Sequence, residues 1–186
     1  ACVALTQVPF EENFDSYPSG SSSSNVLPDC WSMLNTGTSS VGCPTVYSSS
    51  TYASSGSNVL YFYSSSSTSY ADQYAILPPV DPTVLPLQGL RLSFKARRYT
   101  TTTTYVNTII VGVMSNPADA SSFVPVDTVE LLNTTIESHH VDFNNYVGNG
   151  AYVAIMVPRP SGSFSSNYNY IDDVKLDIAP SCGNPT

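Results

Sequence analysis

The chain reads as an all-β domain: about ten strands in two antiparallel sheets packed face to face. Three observations point there. Helical periodicity is nearly absent, and short apolar/polar alternations separated by turn residues dominate. The aromatic content rests on 13 tyrosines against one tryptophan, which suits a β-rich fold. Only 11% of residues are charged, against roughly 25% in an average soluble domain, and 30 serines and 17 threonines take over the polar role. At 186 residues and 41% hydrophobic content the chain is one domain with a core of its own. Two packed sheets are the natural cover for that many half-buried strands.

The strands follow in order. Phe10–Phe14 and Cys30–Leu34 come first, then Val59–Tyr63 and Tyr74–Leu77. Leu90–Arg98 is the clearest: Leu92, Phe94 and Ala96 face one way, and Arg91, Ser93, Lys95 and Arg97 the other. Val106–Met114 is richer in aliphatics and reads as central. Val126–Leu131, His139–Phe143, Ala151–Val157 and the alternating Val174–Ile178 complete the set. Asn116-Pro117-Ala118-Asp119 opens one short helical turn. The hydroxyl runs Ser21–Ser24, Ser64–Ser67 and Thr100–Thr104 read as exposed loops, or as a ligand-binding rim. Pro78, Pro79, Pro82 and Pro86 mark an extended connection lacking ladder donors. No internal repeat or domain boundary appears, so residues 1–186 form a single domain. The start at Ala-Cys reads as a piece cut from a longer, exported protein.

Composition excludes some partners. A net charge of −8 argues against nucleic acid and anionic membrane surfaces, which need clustered positive charge. No stretch approaches the roughly 18 apolar residues of a membrane span. Catalysis is not expected either. His139 and His140 are neighbours in a strand and point to opposite faces. Neither a G-x-S-x-G elbow nor an H-E-x-x-H helix is present.

Cys2, Cys30, Cys43 and Cys182 lack C-x-x-C spacing, which speaks against zinc or dithiol redox chemistry. Of the three possible pairings, Cys2–Cys182 with Cys30–Cys43 is expected. The first would join the two ends, and the second would close a Ser/Gly/Thr-rich loop. Four buried thiols are the alternative.

Carboxylates cluster near both ends. In Phe10–Asp15, a period of two sets Glu12 on the side of Phe10 and Phe14, and Asp15 on the other. Near the C-terminus, Val174, Leu176 and Ile178 define the inward side, which turns Asp172 inward and Asp173 outward unless a bulge intervenes. A buried carboxylate needs compensation. Calcium, which takes about six to eight oxygen ligands, is one source; a surface pair or a turn cap is the alternative. If the first and last strands are adjacent, Glu12 or Asp15 meets Asp172 or Asp173.

Two surfaces are candidates for a ligand. Arg91, Lys95 and Arg97 share a face and are followed by Tyr99 and Tyr105, an aromatic-edged cationic patch suited to a sugar or an acidic ligand. Arg159, Tyr168 and Tyr170 form the second. Both also read as ordinary solvated sheet faces. Trp31 reads as a core anchor.

Several of these segments resemble one family. Phe10-Glu11-Glu12-Asn13-Phe14-Asp15-Ser16-Tyr17 and Leu27-Pro28-Asp29-Cys30-Trp31 resemble the opening of cleaved-adhesin and choice-of-anchor J domains, MAM-like jelly rolls of bacterial surface proteins. The segments Tyr52–Phe62, Tyr74–Pro78, Leu90–Arg97, Ile110–Ser115 and Tyr170–Leu176 continue the match in order over essentially the whole chain. The resemblance implies a noncatalytic extracellular jelly-roll sandwich on a bacterial surface. It would bind a host protein or glycan, or act as a spacer between neighbouring domains of the same chain. A carbohydrate-binding module of a secreted glycan-degrading enzyme is the alternative. The resemblance also implies a structural calcium held by Asp15 with Asp172 or Asp173, and Glu12 assisting because Asp15 stands where many relatives have Glu.

Overall fold

The computed structural model describes residues 2–21, 23–38, 43–101, 105–162 and 164–181. Among them eleven strands form two antiparallel sheets. They are β1 (Phe10–Glu12), β2 (Ser32–Asn35), β3 (Thr45–Ser48), β4 (Asn58–Ser65), β5 (Gln73–Ile76), β6 (Leu90–Arg98), β7 (Asn107–Met114), β8 (Phe123–Leu131), β9 (Glu137–Asp142), β10 (Tyr152–Val157) and β11 (Ser166–Ile178). One sheet has the order β3-β4-β11-β6-β9, with β1 added on β11; the other has the order β2-β5-β10-β7-β8. The chain crosses repeatedly between the layers, the winding of a jelly roll. Among the described residues no helix is long and apolar enough to cross a membrane.

Alternation builds the core as expected. On β6, Leu90, Leu92, Phe94 and Ala96 are buried and Arg91, Ser93, Lys95 and Arg97 are not. Ile109, Val111 and Val113 of β7 and Val153, Ile155 and Val157 of β10 meet them from the other sheet, within one cluster. Trp31 anchors that core against Phe14, at 5.8 Å between ring centroids, and Phe10, at 6.5 Å. Two strands exceed the sequence expectation. β3 is short and lies in a Ser-rich tract. β11 starts at Ser166 rather than Val174, because its inward positions there are Asn167 and Asn169, which carry no apolar signal. The helical turn also shifts: Asp119 caps a 3-10 turn at Ala120–Ser122 by accepting from Ser121 N.

The first and last strands are adjacent, with Phe10 opposite Leu176 and Glu12 opposite Val174. β1 and β4 share one edge of β11: β4 pairs with Ser166–Ile171, and β1 continues from Val174. The expected sulfur pairing is corrected. Cys2 bonds to Cys30, not to Cys182, and Cys43 is a buried free thiol rather than the partner of Cys30. The N-terminal segment thus runs to the turn before β2. Cys182 lies outside the described residues.

Candidate ligand-binding site

The outer face of the six-stranded sheet is paved with tyrosine. Tyr61 and Tyr63 of β4 lie opposite Tyr170 and Tyr168 of β11, and Tyr170 lies opposite Arg97 of β6. Residues opposite each other in an antiparallel pair share a face, so the i, i+2 spacing in both strands puts all four rings on one side. Tyr63 and Tyr168 are 5.1 Å apart, Tyr61 and Tyr170 5.6 Å, and Tyr47 of β3 adds a ring 5.1 Å from Tyr61. Tyr99, just beyond β6, stands 5.2 Å from Tyr168, and Tyr70 packs edge-on to Tyr63 at 5.6 Å. The β3–β4 loop folds back over this face. Its Tyr52 stacks on Tyr170 at 4.1 Å, under the Arg97 guanidinium 5.0 Å from the Tyr52 ring, and Arg97 Nη1 donates to Thr51 O at 3.2 Å.

Eight of the 13 tyrosines therefore join in one surface, five on β3, β4 and β11 and three on the segments that connect strands. Tyr99 is 49% exposed and Tyr47 36%. Burial pushes the phenols of Tyr61 and Tyr170 far up, so they stay neutral; Tyr170, 3% exposed, supports the face from beneath Tyr52. The cations beside them are mostly engaged. Arg91 makes a two-pronged pair with Asp142 at 2.6 and 2.8 Å, and Lys95 reaches Asp173 Oδ2 at 3.0 Å.

Arg97, Tyr99 and Tyr168, ligand candidates of the sequence, come together here, and Tyr105 meets Tyr99 and Tyr168 in a small cleft at the edge of the face. Arg159 does not join them. Tyr105 donates to Ser166 O at 2.8 Å and packs 5.6 Å from Phe164, and Arg159 lies 5.0 Å over that same ring. Both sit at one end of the sandwich. Sequence reasoning missed Tyr47, Tyr52, Tyr61, Tyr63 and Tyr70. The Tyr-x-Tyr pairs 61/63 and 168/170 were the available signal, but only strand order shows that they adjoin.

The four expected calcium ligands gather where β1 and β4 meet on β11. Asp172 does not face inward. A bulge puts one extra residue on β11 between the pairs Asp172–Lys95 and Lys175–Ser93, with Asp173 at φ 47°. Asp172 therefore lies on the outer face, covered by the β3–β4 loop and without solvent exposure. Its Oδ2 accepts from Ser54 N at 2.6 Å and Ser55 N at 3.1 Å, and its Oδ1 from Asp173 N at 2.7 Å. Asp173 Oδ1 accepts from Ser55 Oγ at 2.6 Å. Asp15 Oδ1 accepts from Ser57 N at 2.8 Å and Asn58 N at 3.0 Å, and Glu12 Oε1 from Phe14 N at 2.7 Å. Gly56, at φ 54°, belongs to this packing, since a Cβ there would overlap the Asp15 carboxylate.

Burial raises Glu12 and Asp172 above the ordinary carboxylate range, against N–H bonds that lower them. For Asp173 burial also raises, but the Ser55 hydroxyl and the Lys95 ammonium outweigh it and hold the group low. N–H, hydroxyl and ammonium donors reach one or both oxygens of each carboxylate, and among the described residues no three acidic, imidazole or thiol groups converge. A groove of about 580 Å³ beside the junction is crossed by the Lys175–Glu11 pair at 3.3 Å. The imidazoles part as the strand period requires: His139 packs 5.8 Å from Phe94, and His140 is exposed.

Solved structures with the same fold include adhesin domains and carbohydrate-binding modules. The K2 cleaved adhesin domain of Lys-gingipain superposes with a TM-score of 0.62 at 16% identity, covering 92% of this chain and 100% of that one. The K1 cleaved adhesin domain of Lys-gingipain from Porphyromonas gingivalis W83 gives 0.61 at 18% identity, covering 94% and 100%. The CBM22-2 xylan-binding domain of Paenibacillus barcinonensis Xyn10C gives 0.54 at 14% identity, covering 91% and 99%. No family model and no curated protein sequence matches the chain. The fold implied by the resemblance is thus the fold observed.

Proposed function

We propose that this domain of cleaved-adhesin fold is a noncatalytic extracellular binding module that takes up a glycan on its tyrosine face. The observation that carries the proposal is the unbroken run of outward rings from Tyr47 to Tyr99. A sheet face that only meets water alternates to charged and hydroxyl side chains; this one carries rings that remain partly open to solvent. A tyrosine ring offers a flat, electron-rich face to the C–H side of a sugar, and its neutral hydroxyl hydrogen-bonds the sugar's own. It also loses little conformational freedom on binding. Arg97 sets a cation at the margin, where a hydroxyl or an acidic group of a glycan would meet it. The xylan-binding domain of the same fold accords with such a surface. The Cys2–Cys30 bond accords with an oxidising, extracellular setting.

A host protein is the other partner this face suits, since Tyr and Arg are enriched at protein interfaces. Retention on insoluble polysaccharides together with a glycan array tests the proposal. Wild type should bind, and Tyr63→Ala and Tyr99→Ala should each weaken binding about tenfold or more. Glycan binding unchanged in both variants would overturn it. Silence on every glycan, with capture by a matrix protein, would replace the glycan by a protein partner.

A further inference from the structure

The chain holds a single Asn-Gly step, Asn149-Gly150. It lies in the loop between β9 and β10. In this dipeptide a side-chain amide is lost most easily, because glycine has no Cβ to keep its backbone nitrogen from the neighbouring side chain. The reaction needs no cofactor. Gly150 N gives up its proton and attacks Asn149 Cγ. The new N–C bond closes an imide ring as ammonia leaves. Water then opens either carbonyl of the ring, giving aspartate or isoaspartate. Asn149 is exposed and lines an open cavity of about 220 Å³, so solvent water reaches it.

The geometry opposes the first step. Gly150 is buried, and its N–H donates to the Tyr146 hydroxyl at 2.8 Å. That tyrosine is only 6% exposed, and the loop wraps it closely: a Cβ on Gly148 would overlap its oxygen. Its backbone is fixed as well. Tyr146 N donates to Phe143 O at 2.9 Å, and Tyr146 O accepts from Gln88 Nε2 at 2.9 Å. Beyond the step, Ala151 O accepts from Val80 N at 2.8 Å. Gly150 is also backed by β7, since a Cβ on it would lie 2.7 Å from Met114 O. The attacking nitrogen therefore keeps its proton in a hydrogen bond and its place against the sheet. To reach Asn149 Cγ it must leave a buried acceptor, which is costly.

We infer that Asn149 is a deamidation site whose rate Tyr146 governs. The phenol guards the nitrogen, and local opening of this loop sets the pace of the reaction. The product does not fit the same loop. Isoaspartate adds a main-chain atom before Gly150, where even a Cβ would crowd Met114 O, so the chain entering β10 is displaced. The inference is independent of what the tyrosine face binds.

The test is peptide mass spectrometry of the protein aged in mild alkali, reading amide loss at Asn149, with isoaspartyl methyltransferase labelling of the product. Wild type unfolded in urea should react about tenfold faster or more than folded wild type. Tyr146→Phe keeps the ring and removes the acceptor. It should speed amide loss at Asn149 about threefold to tenfold in the folded protein, the factor of one neutral hydrogen bond, and match wild type in urea. Val46→Ala, in the core on the edge strand opposite β9, lowers stability without touching this bond and should leave the folded rate unchanged. Folded wild type reacting as fast as in urea, or Tyr146→Phe reacting at the wild-type rate, would overturn the inference. Equal acceleration in Val46→Ala and Tyr146→Phe would also overturn it, because global unfolding would then set the rate. Amide exchange in the wild type needs no variant: protection is expected at Gly150, and exchange at the unfolded rate would remove the guard.

Discussion

Asp172 keeps its carboxylate in a site without solvent because the β3–β4 loop turns two backbone N–H groups onto one of its oxygens. Removing it in Asp172→Ala strands those donors, at a cost of about 1–3 kcal/mol. The anchor of the loop that lays Tyr52 on Tyr170 goes with it. A lower melting temperature and faster amide exchange at Ser54 and Ser55 are expected, and exchange at the wild-type rate would refute the anchoring role. The wild type should melt at the same temperature with and without a chelator, because protein donors hold these carboxylates. A chelator-induced drop of several degrees would mean that a calcium ion, and not protein donors alone, stabilises this cluster. Cys43 is decided at the same scale: burial pushes its thiol up to about 12, so it stays protonated and shielded.

Among elements, β6 and β9 are joined by Arg91 and Asp142 as well as by their ladder. The Arg91 hydrogen bonds hold the Asp142 carboxyl below its ordinary value of 3.8. A depressed acid stabilises the fold above its unfolded value, and that contribution is lost as pH falls through the folded one. Both side chains are partly exposed, so the pair contributes only about 0.5–1 kcal/mol. In urea denaturation, Arg91→Met should lose that amount near neutral pH and match wild type in acid strong enough to protonate Asp142 in the folded protein, below its ordinary value of 3.8. A deficit that persists in acid would mean lost packing instead. The alternation of β6 made its inner and outer faces legible from sequence alone. β11 was legible only from Val174 onward, because the tract before it puts Asn rather than aliphatics inside. The Asp172–Asp173 bulge carries no local signal, and it reverses the side on which Asp172 falls.

For the whole molecule, Cys2–Cys30 closes a loop with a sequence separation of 28. A loop of that length stabilises by about 3–4 kcal/mol in the chain-entropy account. Denaturation of Cys2→Ser/Cys30→Ser should show a loss near that size, and a loss under about 1 kcal/mol would mean the bond constrains little. Peptide mapping should yield the Cys2–Cys30 crosslinked peptide.

From the sequence alone came the strand pattern and the inward and outward faces of regular strands such as β6. A period of two and the burial of aliphatics act over a few residues and leave their mark in the order of letters. The partner of Cys2, the outward turn of Asp172 and the gathering of tyrosines from three strands and the segments connecting others were decided only by tertiary structure. Each depends on which strands lie side by side and in what register, a choice made by packing between segments far apart in the chain.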